Sequence, residues 1–408
     1  MNSHPCSRRT FLAMGGAALA APLALAKSST AKPVRIAFVG LGNRGTHLLQ
    51  LMLAMPGVSV PALCDINQDL LRHATEMVKD AQGNRPAGYS KGLYDYRRMF
   101  ERDDVDAVLV ATPSEWHARM SLDAMHAGKH VASESPGAQS VEECWNLVKT
   151  CEATERQYML IESSIHDHTH LLIMNMAHAG VFGEPYYGEC SYTPDHLAPQ
   201  GSAIGALTSH WETKHKAFGT LCPTRSLGPV SKWMGLNRGD RPVSLVSMMS
   251  KPPSSQRCSL EKRTEDLASQ INVTLIKTAR NRVITIYYNT DGTRPMTNFN
   301  LVQGTNGVYD SRHGVYIPGQ SPVHQWENSV AAYDGEHGYA LRKPRAKASA
   351  DSSMLREFVQ AVREGRTPFV DVYDSATWSA VAELSAESIR KGGVCLPFPD
   401  FTNGRWNA

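Results

Sequence analysis

The six residues GLGNRG (40–45) follow the apolar run VRIAFV (34–39) and open the helix-like stretch THLLQLMLAM. No other feature restricts the fold of this chain as strongly. Gly40, Gly42 and Gly45 complete a G-x-G-x-x-G between a strand and a helix. The first glycine permits the tight turn, and the second lets backbone approach a pyrophosphate. The third lets helix and strand pack closely, with the helix N-terminus facing the phosphates. The next apolar run, VSVPALCD (58–65), ends in Asp65, at the spacing of about twenty residues that places an acid on the ribose. A carboxylate there accepts from both ribose hydroxyls and repels a 2′-phosphate, so NAD is expected rather than NADP.

The alternation continues through VDAVLVATP (105–113), a helix from about Trp116 to Ala127, KHVASESP (129–136), the helical VEECWNLVKTCEAT and the strand QYMLIES. Strands alternating with helices predict an α/β fold with an N-terminal Rossmann domain, a doubly wound parallel sheet. After residue 165 the pattern changes. PYYGECSYT, PVSLVSMMS, INVTLIKTA and NRVITIYYNT predict a C-terminal α+β domain with a largely antiparallel sheet. The last helix pair, SSMLREFVQAVREG and DSATWSAVAELSAESIRKG, is expected to pack back on it. Residues 197–240 and 311–350 are poorly periodic and rich in Gly, Pro and His; loops that long in a compact domain are usually functional.

The first 26 residues read as an export signal. Ser7, Arg8, Arg9, Phe11 and Leu12 fit a twin-arginine pattern, a mild apolar stretch runs from Ala13 to Ala24, and Ala24-Leu25-Ala26 offers a cleavage site. The stretch is too short to span a bilayer. The expected organisation is therefore a signal over 1–26, an NAD-binding domain over 27–164 and a substrate and oligomerisation domain over 165–408. Cleavage removes two arginines and no acids, so the formal charge falls from +3 to +1. No charge block points to nucleic acid or to a membrane surface. Of eight cysteines one, Cys6, lies in the signal, and the other seven have no regular spacing, against a disulfide framework or a zinc knuckle. The twin-arginine route exports folded proteins, so NAD bound in the cytoplasm would travel with the chain to the periplasm. A cofactor that cannot be exchanged outside must be regenerated within each turnover, which favours chemistry with no net oxidation.

GLGNRG, VLVATPSEWHARMSLDAMHAGKHVASESP and the change of pattern near residue 165 resemble the glucose–fructose oxidoreductase and inositol dehydrogenase (Gfo/Idh/MocA) family. That family carries a catalytic Lys in Glu-Lys-Pro, where this chain has Glu134-Ser135-Pro136. VEECWN, GVFGEPYYGE, SLGPVSKWMGLNRGDR, SPVHQWE, DVYDSATWSA and FPDFTNGRW are similar to one branch, the NAD-dependent glycosidases of glycoside hydrolase family 109.

The resemblance implies unusual chemistry. Bound NAD oxidises the 3-hydroxyl of a sugar, the ketone acidifies the C2 hydrogen, and a base removes it while the glycosidic group leaves. Water then adds, and the hydride returns to C3. A modest general base suffices, and no pair of catalytic carboxylates is needed. The resemblance carries the cofactor contacts onto Asn43, Arg44, Asp65, Trp116, His117, Glu134, Ser135 and Ser163, beside Gly40, Gly42 and Gly45. Trp116 also reads as a helix-packing aromatic.

On the sugar side the residues depart from the family. Its Tyr and His of Tyr-Pro-Thr-His are Cys222 and Arg225 here, its Arg and Glu of Trp-Arg-Thr-Glu-His are Glu212 and Lys214, one Tyr is His166 and another Met296. Lys347 stands near a family His, and Tyr192 is retained. So many altered hydrogen-bonding partners predict a substrate other than the family's N-acetylgalactosaminides. His166, Tyr192 and Arg225 are the catalytic candidates, and Tyr192, Glu212, Cys222 and Arg225 the substrate-binding ones. Arg225 favours an anionic sugar such as a uronate. His166, His168 and His170 fall on one face if IHDHTH is a strand, but no acid or cysteine partner is evident and no metal is expected. Three readings stay open: a glycosidase of this type, a sugar oxidoreductase that stops at the keto sugar, and a sugar-binding protein without chemistry. Each has a carbohydrate partner, with the twin-arginine machinery for export; association into a homo-oligomer stays open.

Overall fold

The computed structural model describes residues 32–193, 219–250, 271–289, 296–337 and 349–407. The signal segment, Glu212, Lys214 and Lys347 lie outside the described residues. The first sheet holds β1 (Val34–Val39), β2 (Val58–Ser59), β3 (Ala62–Cys64), β4 (Ala87–Tyr89), β5 (Ala107–Val110), β6 (His130–Glu134) and β7 (Tyr158–Ile161). Its order is β4-β3-β1-β5-β6-β7, with β2 beside β1, and every pairing is parallel. This is the doubly wound order, reversing direction beside β1. The predicted strand VSVPALCD is split at Val60-Pro61 into β2 and β3, because a proline cannot donate to a ladder. Ile36, Phe38, Ala107 and Leu109 are fully buried, as strands covered on both faces must be.

The second sheet contains β8 (Pro185–Tyr192), β9 (Pro242–Ser250), β10 (Ile271–Thr278), β11 (Val283–Asn289), β12 (Asn300–Gly304), β13 (Val308–Asp310), β14 (Gly314–Tyr316) and β15 (Leu396–Pro397). They run in the order β14-β13-β12-β8-β11-β10-β9-β15. All neighbours are antiparallel except β8 and β11. Along β10, Asn272, Thr274, Ile276 and Thr278 are buried while Ile271 and Leu275 are exposed. That period of two marks a sheet covered on one face.

The last helix pair divides between the two sheets, which corrects the expectation that both pack on the antiparallel one. Helix Ala350–Glu364 buries Met354, Leu355, Phe358 and Val359 with Ile36, Phe38, Leu109 and Met159 of the parallel sheet. Its apolar stripe recurs at helical spacing, and each such side chain contributes roughly 1.5–3 kcal/mol on burial. Helix Val372–Arg390 starts on a capping box between Asp371 and Asp374 and lies against β9 and the helix Val141–Thr154. Two further helices, His168–His178 and Pro223–Trp233, lie where the sequence reads as strand or loop. Asp167 caps the first by accepting from the Thr169 N–H, and a proline at the first turn starts the second.

Candidate active site

The glycine turn has the shape a dinucleotide requires. Gly40 has φ +88°, and a Cβ there would lie 2.5 Å from the Ala111 carbonyl oxygen. A Cβ on Gly45 would lie 1.9 Å from the Gly40 carbonyl oxygen. Gly42 is the opposite case: a Cβ there would meet no protein atom within 4 Å, so the turn presents bare backbone to open space. Helix Asn43–Leu53 begins at Gly42 with no side-chain cap and no acid in its first turn. Its first N–H groups are thus left for an anion. Asp65 follows β3, and its carboxylate accepts from the Leu41 N–H at 2.6 Å and the Asn67 N–H at 2.8 Å. Each oxygen keeps a further lone pair for a ribose hydroxyl. These residues fit NAD: Asp65 would hold the ribose, and the backbone of 42–45 the pyrophosphate.

Arg44 is engaged within the protein. Its guanidinium donates to Glu134 at 2.7 Å and, through two nitrogens, to Asp351 at 2.8 and 2.9 Å, so it braces the fold beside the glycine turn. It ties the cofactor turn to the first turn of helix Ala350–Glu364, and His47 meets the same Asp351 at 3.1 Å. Burial alone would push the Asp351 carboxyl up; Arg44, with His47, overrides it and holds the group below the usual carboxylate range. Burial pushes the Glu134 carboxyl up, against the opposing charge of Arg44. No sequence pattern links residue 44 to residue 351, and so Asp351 escapes a reading by motif.

His117 is also a brace. It is buried, and its ring nitrogens lie 2.8 Å from the Pro136 carbonyl and 2.7 Å from the Thr112 carbonyl. With both nitrogens so engaged it ties the segment after β5 to the segment after β6. Trp116 is half-buried and meets Tyr94 edge-on at 5.7 Å, the packing reading. Ser135 Oγ lies 2.5 Å from Thr224 Oγ1.

At the carboxyl end of β7 a cleft of about 300 Å³ opens between the two sheets, lined by Ser163, Ser164, Asp167, His170, Ser191, Arg225, Asn298, Asn300 and Ala350. Ser163 and Arg225 both line this cleft. The Arg225 guanidinium is exposed in the first turn of helix Pro223–Trp233 and lies 5.9 Å from the ring centre of Tyr192. Cys222 precedes that turn, half-buried, while Met296 is exposed.

His166 is not in the cleft, which corrects its placement at a strand end facing the substrate. Residues Ser163–His166 form a 3₁₀ turn, and the His166 ring is buried edge-on against Phe369 at 5.5 Å. The next turn of chain brings His170 to the cleft instead. Its Nδ1 lies 2.5 Å from the Ser164 carbonyl oxygen; Nδ1 must donate there, and in the neutral ring Nε2 then carries the lone pair. Because the segment is a turn and a helix, the three histidines share no face. His168 pairs with Asp334 at 3.0 Å, and the described residues contain no group of three or more His, Cys, Asp and Glu arranged for a metal.

Helix Pro223–Trp233 is anchored from below. The Lys232 ammonium donates to Asp374 and to the Phe369 carbonyl, each at 2.5 Å. Arg238 reaches Asp371 at 2.7 Å and Asp374 at 2.8 Å. SLGPVSKWMGLNRGDR and DVYDSATWSA therefore meet in one cluster of two cations and two acids, in which Lys232, Asp371 and Asp374 are buried and Arg238 reaches in from the surface. Burial opposes the charge on Asp374, but Arg238 and Lys232 hold its carboxyl down at about 2.

Residues 34–162 match the family described as "Oxidoreductase family, NAD-binding Rossmann fold", and residues 166–408 match "Glycosyl hydrolase 109, C-terminal domain". The chain belongs to glycoside hydrolase family 109. A family 109 protein of Saccharopolyspora erythraea is 35% identical over 442 residues, covering 99% of this chain and 96% of its own. One of Shewanella baltica is 34% identical over 454 residues, covering 99% and 97%. Among solved structures, levoglucosan dehydrogenase in complex with NADH shares the fold at TM-score 0.71 and 16% identity, over 90% of this chain and 100% of its own. An aldose-aldose oxidoreductase of Caulobacter crescentus complexed with glycerol does so at 0.65 and 18%, over 90% and 100%. This family 109 chain is thus an enzyme of the NAD-dependent type, a glycosidase or sugar oxidoreductase with an NAD-binding Rossmann domain and a carbohydrate substrate.

Proposed function

We propose that the protein is an exported glycosidase that keeps its NAD through turnover and cleaves glycosides other than N-acetylgalactosaminides, with anionic sugars favoured. The observation that carries this reading is the cleft at the carboxyl end of the parallel sheet, which Arg225 and His170 line, with Tyr192 next to Arg225. When bound, NAD supplies a reversible store for the hydride of sugar C3. The chain's own residues handle binding and protons. The Arg225 guanidinium pairs with a sugar carboxylate, and the Tyr192 ring beneath it limits where the sugar lies. His170, held by the Ser164 carbonyl, accepts the acidified C2 proton at Nε2. The glycosidic group then leaves by elimination, and water adds to the alkene.

Isotopes test this sequence. Turnover in D₂O is expected to place deuterium at C2 of the product, and a substrate deuterated at C3 to keep its label. Product without deuterium at C2 would overturn the mechanism, and loss of the C3 label with build-up of keto sugar would make the enzyme a sugar oxidoreductase.

A further inference from the structure

We propose that Ser135, Thr224 and Glu162 form a relay that carries the proton of the reacting sugar hydroxyl into the protein; this rests on the oxidative reading above. Glu162 closes β7 and is 7% exposed. Its Oε1 accepts from the Ser164 N–H at 3.1 Å and the Ser164 hydroxyl at 2.9 Å, and its Oε2 from the Thr224 hydroxyl at 3.2 Å. Among the described residues, every donor that Glu162 meets is neutral. One amide and two hydroxyls reach this carboxylate, and of these the Thr224 hydroxyl is the donor that leads on to a further hydroxyl, Ser135.

The direction of the chain follows from counting protons. An ionised carboxylate only accepts, so the Thr224 hydroxyl gives its one proton to Glu162. Ser135 Oγ, 2.5 Å from Thr224 Oγ1, must then be the donor of that pair. Ser135 is left with lone pairs alone to offer a ligand, and it is half-buried just beyond β6. That is where doubly wound sheets bind their ligands. The other two members adjoin the cleft through Arg225 and Ser163.

The groups around the relay serve other tasks. Glu134 is paired with Arg44, which is also held by Asp351, while His166 lies against Phe369 and His170 against the Ser164 carbonyl. The step balances as follows. As a secondary alcohol becomes a ketone, its C–H bond breaks with the hydride going to oxidised nicotinamide dinucleotide, and its O–H bond breaks with the proton going to Ser135. The Ser135 proton passes to Thr224 and the Thr224 proton to Glu162, which ends neutral. Return of the hydride runs the chain backwards.

The test uses the full chain loaded with NAD and an aryl glycoside that the wild type turns over. Thr224→Val is expected to slow single-turnover reduction of bound NAD by about 10²-fold and to diminish its solvent deuterium isotope effect. Thr224→Ser is expected to restore both, with melting temperature and NAD affinity close to wild type in each variant. Independently of rate, adding the glycoside should raise a protonated-carboxyl band in infrared difference spectra, absent from Glu162→Gln. A Thr224→Val enzyme with the wild-type rate and isotope effect, a Thr224→Ser enzyme as slow as Thr224→Val, or a band that persists in Glu162→Gln would each overturn the relay alone. A wild type in which no glycoside reduces bound NAD would overturn the oxidative reading and the relay with it.

Discussion

Arg225 and His170 differ in how each reached the cleft. Arg225 is visible in the sequence because it interrupts a motif, and the structure places it among the cleft residues beside Tyr192. His170 is visible only as one of several histidines; its neighbour Ser164 fixes its ring, and that contact depends on a helix that IHDHTH does not announce. Glu162 and Thr224 form one network across 62 positions, and no local pattern predicts such a contact. Two outcomes follow at this scale. Arg225→Ala is expected to raise KM for uronates by roughly 10–100-fold, the loss of a charge-assisted hydrogen bond of about 1.5–3 kcal/mol, and to spare neutral sugars. His170→Ala should lower kcat by about 10²–10⁴-fold with melting unchanged, whereas His166→Ala should act mainly through a lowered melting temperature. Steady-state kinetics beside thermal melts separate these cases.

Most strands and most Rossmann helices could be located in the sequence, the parallel strands as short continuous apolar runs and β10 by alternating burial. The helix Pro223–Trp233 could not. It is almost wholly buried, including Ser226, Ser231 and Lys232, so it lacks the polar stripe by which a surface helix is recognised. Its ion cluster explains why such a segment stays helical, and removing one partner tests this. Lys232→Met leaves Asp371 and Asp374 with one cation and is expected to cost about 3–5 kcal/mol in urea unfolding. The clip between Arg44 and Asp351 responds to acid. The folded-state pKa of Asp351 is depressed, so its contribution to stability is complete above the unfolded value of about 3.9 and is lost as pH falls through the lower folded value. Melting temperature should therefore fall more steeply below about pH 4 in the wild type than in Asp351→Asn.

At the scale of the whole molecule, the proposed export and the dinucleotide turn make one joint prediction. Protein recovered from the periplasm should release NAD on denaturation, and Arg8→Lys with Arg9→Lys should leave the enzyme in the cytoplasm. Cofactor-free periplasmic protein would contradict the proposed retention of NAD. Helix Ala350–Glu364 carries a different consequence. It comes from the far end of the chain, yet Phe358 and Leu355 complete the apolar layer under Ile36 and Phe38, and Asp351 holds the arginine of the glycine turn. The boundary near residue 165 is thus a seam in the sequence and not in space. Neither half is a module that gene fusion could borrow intact: a fragment ending there would present a bare greasy face and a slackened cofactor turn. Recombination can exchange the sugar-handling strands of such an enzyme only if the transplanted piece returns a matching helix to its host.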